Sequence, residues 1–143
     1  HLVIRRQRQM CIRDRGKTLD PISQDSCAFY ERTALFADYD GVANGPDEGI
    51  NIAKALGDKD FVILQNHGLL TTGTMVDTTI WYFLNMEDAC KSQLLAEAVG
   101  KPIVIPHETA CATRDYVAND LSAYVSFQPT VDVLWEEEPD LLD

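Results

Sequence analysis

The chain has 143 residues, of which 45% are hydrophobic and 24% charged, values that suit one globular domain with a single core and exclude a disordered chain as the default. No apolar run approaches the roughly 18–20 residues that cross a bilayer, and the arginine-rich start lacks the apolar stretch of a secretory signal, so a cytoplasmic protein with no membrane segment is expected. Net charge is −11, but residues 1–17 carry six basic residues against Asp14, and the rest carries six basic against 22 acidic residues, a net −16 that repels phosphate backbones and excludes nucleic acid as a partner.

Residues 1–15 break from everything that follows. Arg5-Arg6-Gln7-Arg8-Gln9 and Met10-Cys11-Ile12-Arg13-Asp14-Arg15 show no helical stripe, no strand alternation and no turn chemistry. The second stretch resembles translated sequencing adapter, and the segment is read as standing outside the natural domain, which begins near Gly16. A basic arm for nucleic acid or an acidic partner and a solvated helical extension are the alternatives.

From residue 16 to residue 143 the pattern is that of alternating helices and short strands. Pro21 pushes Asp20 toward an extended conformation, and Ser23 is placed to cap a helix carrying Ser26, Cys27, Phe29 and Tyr30. Ala34–Ala37 is a predicted short strand, followed by a glycine-containing loop from Asp38 to Pro46. Asp47 is the predicted N-cap of a helix with Ile50, Ala53 and Leu56 on one face and Gly57 as its left-handed stop. Phe61-Val62-Ile63-Leu64 is four consecutive apolar residues between charge and a polar turn, which suits a strand buried on both faces.

A polar loop is then expected up to Thr74 and Asp77, whose spacing predicts a capping box. The helix that follows carries Val76, Ile80, Phe83, Leu84, Cys90 and Leu94 as its stripe and ends at Gly100. Trp81 and Tyr82 stand beside that stripe, suited to the core or to a subunit contact. Pro102 and Pro106 bracket an extended Ile103-Val104-Ile105. Helices are predicted at about residues 107–118 and 129–137, before an acidic solvated tail. The four cysteines, Cys11, Cys27, Cys90 and Cys111, form no metal knuckle and read as reduced thiols.

The chemistry converges on Asn66-His67-Gly68. A histidine directly after a buried strand, in a turn opened by glycine, sits where α/β domains build their sites. Gly68 is expected to supply the unusual backbone conformation. Histidine also ligates metals through its unprotonated ring nitrogen. By itself the tripeptide is a weak signal, since a lone turn histidine is more often structural. His107 and Cys111 share a helix face, with Glu108 beside His107, but His-Glu-x-x-Cys lacks the second histidine of a zincin motif and is given a structural role.

The run from Phe61 through Asn66-His67-Gly68 to Gly73, with a following helix carrying Trp81, Phe83, Glu87 and Cys90, resembles the class II aldolase/adducin family. So do Leu19-Asp20-Pro21-Ile22-Ser23-Gln24-Asp25 and Phe127-Gln128-Pro129 before Pro139-Asp140-Leu141-Leu142. The resemblance spans Leu19 to Asp143 and implies an α/β fold, a three-layer α/β/α domain truncated at its N-terminus. It further implies a divalent metal, usually zinc, held by a His-x-His pair and by the histidine matching His67. Three imidazoles leave an open position where a sugar- or hydroxy-acid-type substrate chelates and an enediolate is stabilised. A carboxylate and a tyrosine move protons in those enzymes; Tyr30, Tyr39, Tyr116 and Tyr124 give no unambiguous match.

The His-x-His pair is expected shortly before Leu19, where this chain has the arginine-rich segment and no histidine; His1 has no partner at Val3. Weak or no metal binding at His67 is therefore expected of this chain by itself. The resemblance implies a carbon–carbon lyase or related enzyme, a homo-oligomer with sites near subunit interfaces, as the parent protein. An adducin-like scaffold without catalysis and a nonfunctional fragment are the competing readings.

Overall fold

A computed structural model describes residues 16–38 and 46–142; the expectations for residues 1–15 and for most of the loop before Pro46 lie outside them. The described elements are, in chain order, α1 (Gln24–Cys27), β1 (Thr33–Phe36), α2 (Pro46–Leu56), β2 (Phe61–Leu64), β3 (Gly68–Thr71), α3 (Val76–Val99), α4 (His107–Val117), α5 (Asp120–Glu137) and a final 3-10 turn (Pro139–Leu142). β2 is the middle strand. It runs parallel to β1, with Thr33 opposite Phe61, and antiparallel to β3, with Leu64 opposite Gly68. A parallel neighbour requires a crossover, and α2 supplies it between β1 and β2, packing on both.

All four residues of β2 are buried, as a strand covered on both faces must be. Phe61 and Ile63 share one face and join a core with Leu19, Phe29, Tyr82, Met86, Ala89, Cys90 and Ala123. Phe61 meets Phe29 edge-on and Tyr82 at a tilt, each with ring centroids 5.2 Å apart. Helix α3 packs along β3 and α5, so helices and sheet alternate as an α/β layered domain.

Ser23 caps α1 as its sequence predicts. Its hydroxyl accepts from the Ser26 N–H, and the Ser26 hydroxyl accepts from the Ser23 N–H, a reciprocal capping box. Gly57 ends α2 with φ of 55°, its N–H donating to the Ala53 carbonyl. Cys27 and Cys90 are core residues, and burial, helped by Asp25, pushes the Cys27 thiol up.

Several sequence expectations need correction. Residues 68–71 form a strand instead of a loop, because the hairpin gives the half-buried Leu69 and Leu70 a partner in β2. Thr74 caps nothing: Met75 is the N-cap of α3, without a side-chain cap, and the Thr74 hydroxyl donates to Asp120 at 2.8 Å. The buried stripe of α3 is Thr78, Tyr82, Met86, Ala89, Cys90 and Gln93, while Val76 and Ile80 are exposed. That rotation puts Tyr82 in the core and leaves Trp81 half-buried against it. Gly100 ends α3 in extended backbone. Asp47 lies in the first turn of α2, not at its cap, and Ile50 and Ala53 are exposed. Helix α5 begins at Asp120, capped by the Asn119 side chain, and carries Pro129 inside it.

Candidate functional site

The His67 turn is built by its neighbours. β2 delivers the chain to the surface, where residues 65–67 reverse it into β3. The Gln65 N–H donates to the Phe36 carbonyl at 2.8 Å, and the His67 N–H to the Leu64 carbonyl at 3.1 Å. The left-handed residue is Asn66, with φ of 57°, and not Gly68, which already lies in β3. Asparagine tolerates that region better than other residues bearing a Cβ. At the far end of the hairpin, the Thr72 N–H and hydroxyl both donate to the Asp60 carbonyl, at 3.0 and 2.9 Å. Asn66 and His67 are exposed and Gly68 half-buried, so the turn fixes the His67 backbone while leaving the ring open to solvent.

Below that turn, Arg32 ties the start of the sheet together. Its Nε donates to Asp60 at 2.7 Å and its Nη1 to the Ala118 carbonyl at 3.0 Å. The guanidinium lies over the rings of Phe61 and Tyr82, 5.1 and 5.4 Å from their centroids. The Tyr82 hydroxyl is buried with no hydrogen bond in standard geometry among the described residues. Burial pushes its pKa up, opposed by the nearby Arg32 charge. Gln93, 1% exposed, accepts from the Asp20 N–H at 2.8 Å and donates to Asp20 and Glu97, so it locks the segment before α1 onto α3.

A metal held as the sequence resemblance implies needs three ligands around one point. Among the described residues, His67 belongs to no group of three His, Cys, Asp or Glu side chains able to close on an ion; the group that does form is Glu31, His107 and Cys111. The described residues by themselves therefore do not fit a three-ligand centre at His67.

Glu31 is the residue that sequence reasoning missed. It lies 80 positions from Cys111, too far for any spacing rule, and its φ of 60° is set by the turn between α1 and β1. Glu108, the acid expected beside His107, is not in the cluster. Tyr30 is placed next to it, its hydroxyl 3.2 Å from His107 Nδ1. Tyr116 is 82% exposed, and Tyr39 lies outside the described residues.

Residues 7–94 match the family described as Class II Aldolase and Adducin N-terminal domain. The chain belongs to the class II aldolase and adducin family. Among curated relatives, the decarboxylase NovR of Streptomyces niveus is 38% identical over 88% of this chain and 47% of that protein. A 4-hydroxy-3-prenylphenylpyruvate oxygenase/4-hydroxy-3-prenylbenzoate synthase of Streptomyces roseochromogenus subsp. oscitans is 37% identical over 88% of this chain and 46% of its own length. Among solved structures, the L-fuculose 1-phosphate aldolase of Glaciozyma antarctica superposes with a TM-score of 0.82 at 34% identity, covering 93% of this chain and 50% of that one. The chain thus spans about half the length of these class II aldolase relatives. No helix among the described residues is long and apolar enough to cross a membrane.

Proposed function

We propose that this chain is part of a metal-dependent enzyme that breaks a carbon–carbon bond in a small sugar- or hydroxy-acid-type substrate, with His67 as one metal ligand. The observation that carries the reading is the His67 turn itself: a solvent-open imidazole, pinned by backbone hydrogen bonds at the end of a fully buried strand. A strand end is where an α/β domain holds a reacting group most accurately. The names of the relatives support the reaction class, since a decarboxylase and an aldolase both part a carbon–carbon bond. The remaining ligands, a His-x-His pair in this proposal, come from sequence beyond the present chain, and zinc is the proposed ion.

A cytoplasmic homo-oligomer is part of the same proposal. Val99 and Ile103 are each 91% exposed, apolar surface that a partner subunit would cover. Sequencing the gene upstream of the Gly16 codon is the test. A His-x-His pair, followed by loss of bound metal and turnover in His67→Ala of the longer protein, supports the enzyme. An upstream region without paired histidines, in a protein that holds no metal at His67, rejects it in favour of an adducin-like scaffold.

A further inference from the structure

The Glu31, His107 and Cys111 cluster plays no part in the proposed lyase and does not depend on it. We propose that these three side chains form a second, self-contained site for a thiophilic divalent cation, zinc being the ion that their chemistry fits.

The geometry is that of a site slightly open around its centre. Cys111 Sγ lies 3.8 Å from His107 Nδ1 and 3.9 Å from Nε2, so the ring offers either nitrogen. Sγ is 3.7 Å from Glu31 Oε2, and His107 Nδ1 is 3.8 Å from Glu31 Oε1. Tetrahedral zinc, with bonds of about 2.0 Å to nitrogen and oxygen and about 2.3 Å to sulfur, needs ligand-to-ligand edges of roughly 3.3–3.6 Å. Closing onto an ion asks exposed or half-buried side chains, whose ligand atoms already lie within 4.8 Å of one another, to draw together.

Two segments far apart in sequence converge to make the cluster. His107 and Cys111 stand one helical turn apart on α4 and share its face. Glu31 comes from the turn after α1, in a left-handed conformation that a glutamate adopts only against a steric cost. Tyr30 hydrogen-bonds His107 Nδ1, which makes it an outer partner of the kind that orients a ligating imidazole when the ring ligates through Nε2, 3.9 Å from Cys111 Sγ. Arg114 Nη1, 3.5 Å from Glu31 Oε2, is the one cation beside the cluster among the described residues. Its Nε is committed to Asp115 at 2.9 Å, and its Nη1 reaches the same Oε2 that faces Cys111 Sγ, while Oε1 faces His107.

A thiolate, an imidazole and a carboxylate favour zinc over magnesium or calcium, which take oxygen ligands. Binding forms a metal–sulfur bond, and the Cys111 thiol gives its proton to solvent. No electron moves. A water completes the fourth position, as three protein ligands leave it open.

Cobalt(II) is the probe, titrated into the metal-stripped 143-residue chain under reducing conditions. One equivalent is expected to bind with the near-ultraviolet sulfur-to-cobalt charge-transfer band and the intense visible absorption of a tetrahedral ion. Zinc should displace it and magnesium should not. Cys111→Ser should abolish the charge-transfer band, and Glu31→Gln, at an exposed side chain, should keep the band but weaken binding by about tenfold or more. His67→Ala should change neither, which separates this site from the proposed lyase centre. A wild-type chain without the band, or a band that survives Cys111→Ser with circular dichroism unchanged, overturns the proposal.

Discussion

His67 and His107 both reach solvent, but they are held in opposite ways. His67 is fixed through its backbone, by a hairpin whose first strand is entirely buried, and its ring belongs to no group of three potential metal ligands among the described residues. His107 opens a helix, has a side chain 62% exposed, and is fixed through its ring by Tyr30, Glu31 and Cys111. Under the two proposals, the difference separates two ways of preparing a metal ligand. One histidine, in the proposed lyase, stands at the end of a buried strand and takes its partners from other sequence. The other arrives with its partners, brought together by a turn and one helical face.

The comparison is broken most severely by attacking the scaffold under His67. Phe61→Ala removes a ring that is 0% exposed and packed on Phe29 and Tyr82, and should cost about 3–5 kcal/mol in urea unfolding. Arg32→Ala comes next, because Arg32 follows Glu31 directly and joins both regions through Asp60, Ala118 and two rings. A loss of about 2 kcal/mol is expected, and Arg32→Lys should not restore it, since an ammonium cannot reproduce the planar fork. At the turn itself, Asn66→Val forces a β-branched residue to φ of 57° and should cost about 1–2 kcal/mol, whereas Asn66→Gly should be nearly neutral. Such a pair of variants moves His67 without touching His107, so cobalt binding at the cluster should be unchanged.

On the other side, Ser23→Ala removes the capping box of α1, the helix that leads into the Glu31 turn, at about 1 kcal/mol by thermal unfolding. The smallest effect belongs to Tyr82→Phe. Deleting a buried hydroxyl without a standard hydrogen bond should be neutral or slightly stabilising. It should also soften the alkaline loss of stability. The folded-state pKa of Tyr82 is raised by burial, so below the ordinary tyrosine value both states hold the proton. Above that value the unfolded chain ionises first, and stability falls as pH rises toward the folded pKa. A stability-versus-pH series on both proteins measures this directly.

What the sequence made legible follows from the range of each signal. Four apolar residues in a row report a strand buried on both faces, and β2 is that strand. Ser23 three residues before Ser26 reports a cap, and Gly57 a helix stop, because those interactions close within a turn. The hairpin strand at Gly68–Thr71 was hidden because its pairing with β2, not its own half-buried residues, makes it a strand. The buried stripe of α3 was misplaced because threonine and glutamine occupy it: Thr78 spends its hydroxyl on the Met75 carbonyl, and Gln93 satisfies its amide on Asp20 and Glu97. The exposed turn at His67 was legible from the polar tripeptide after β2, and its role as a metal ligand stays a proposal that rests on the resemblance to class II aldolases. Glu31 was not, since only tertiary structure brings it to His107 and Cys111.

The most direct test of the whole account is a metal count on the longer protein, with the upstream sequence restored, by inductively coupled plasma mass spectrometry. Two zinc ions per chain are expected in the wild type, one in His67→Ala with turnover lost, and one in Cys111→Ser with the proposed lyase centre still loaded. A His67→Ala protein that keeps its full metal content and its activity would contradict the assignment of His67, whatever the outcome at Cys111.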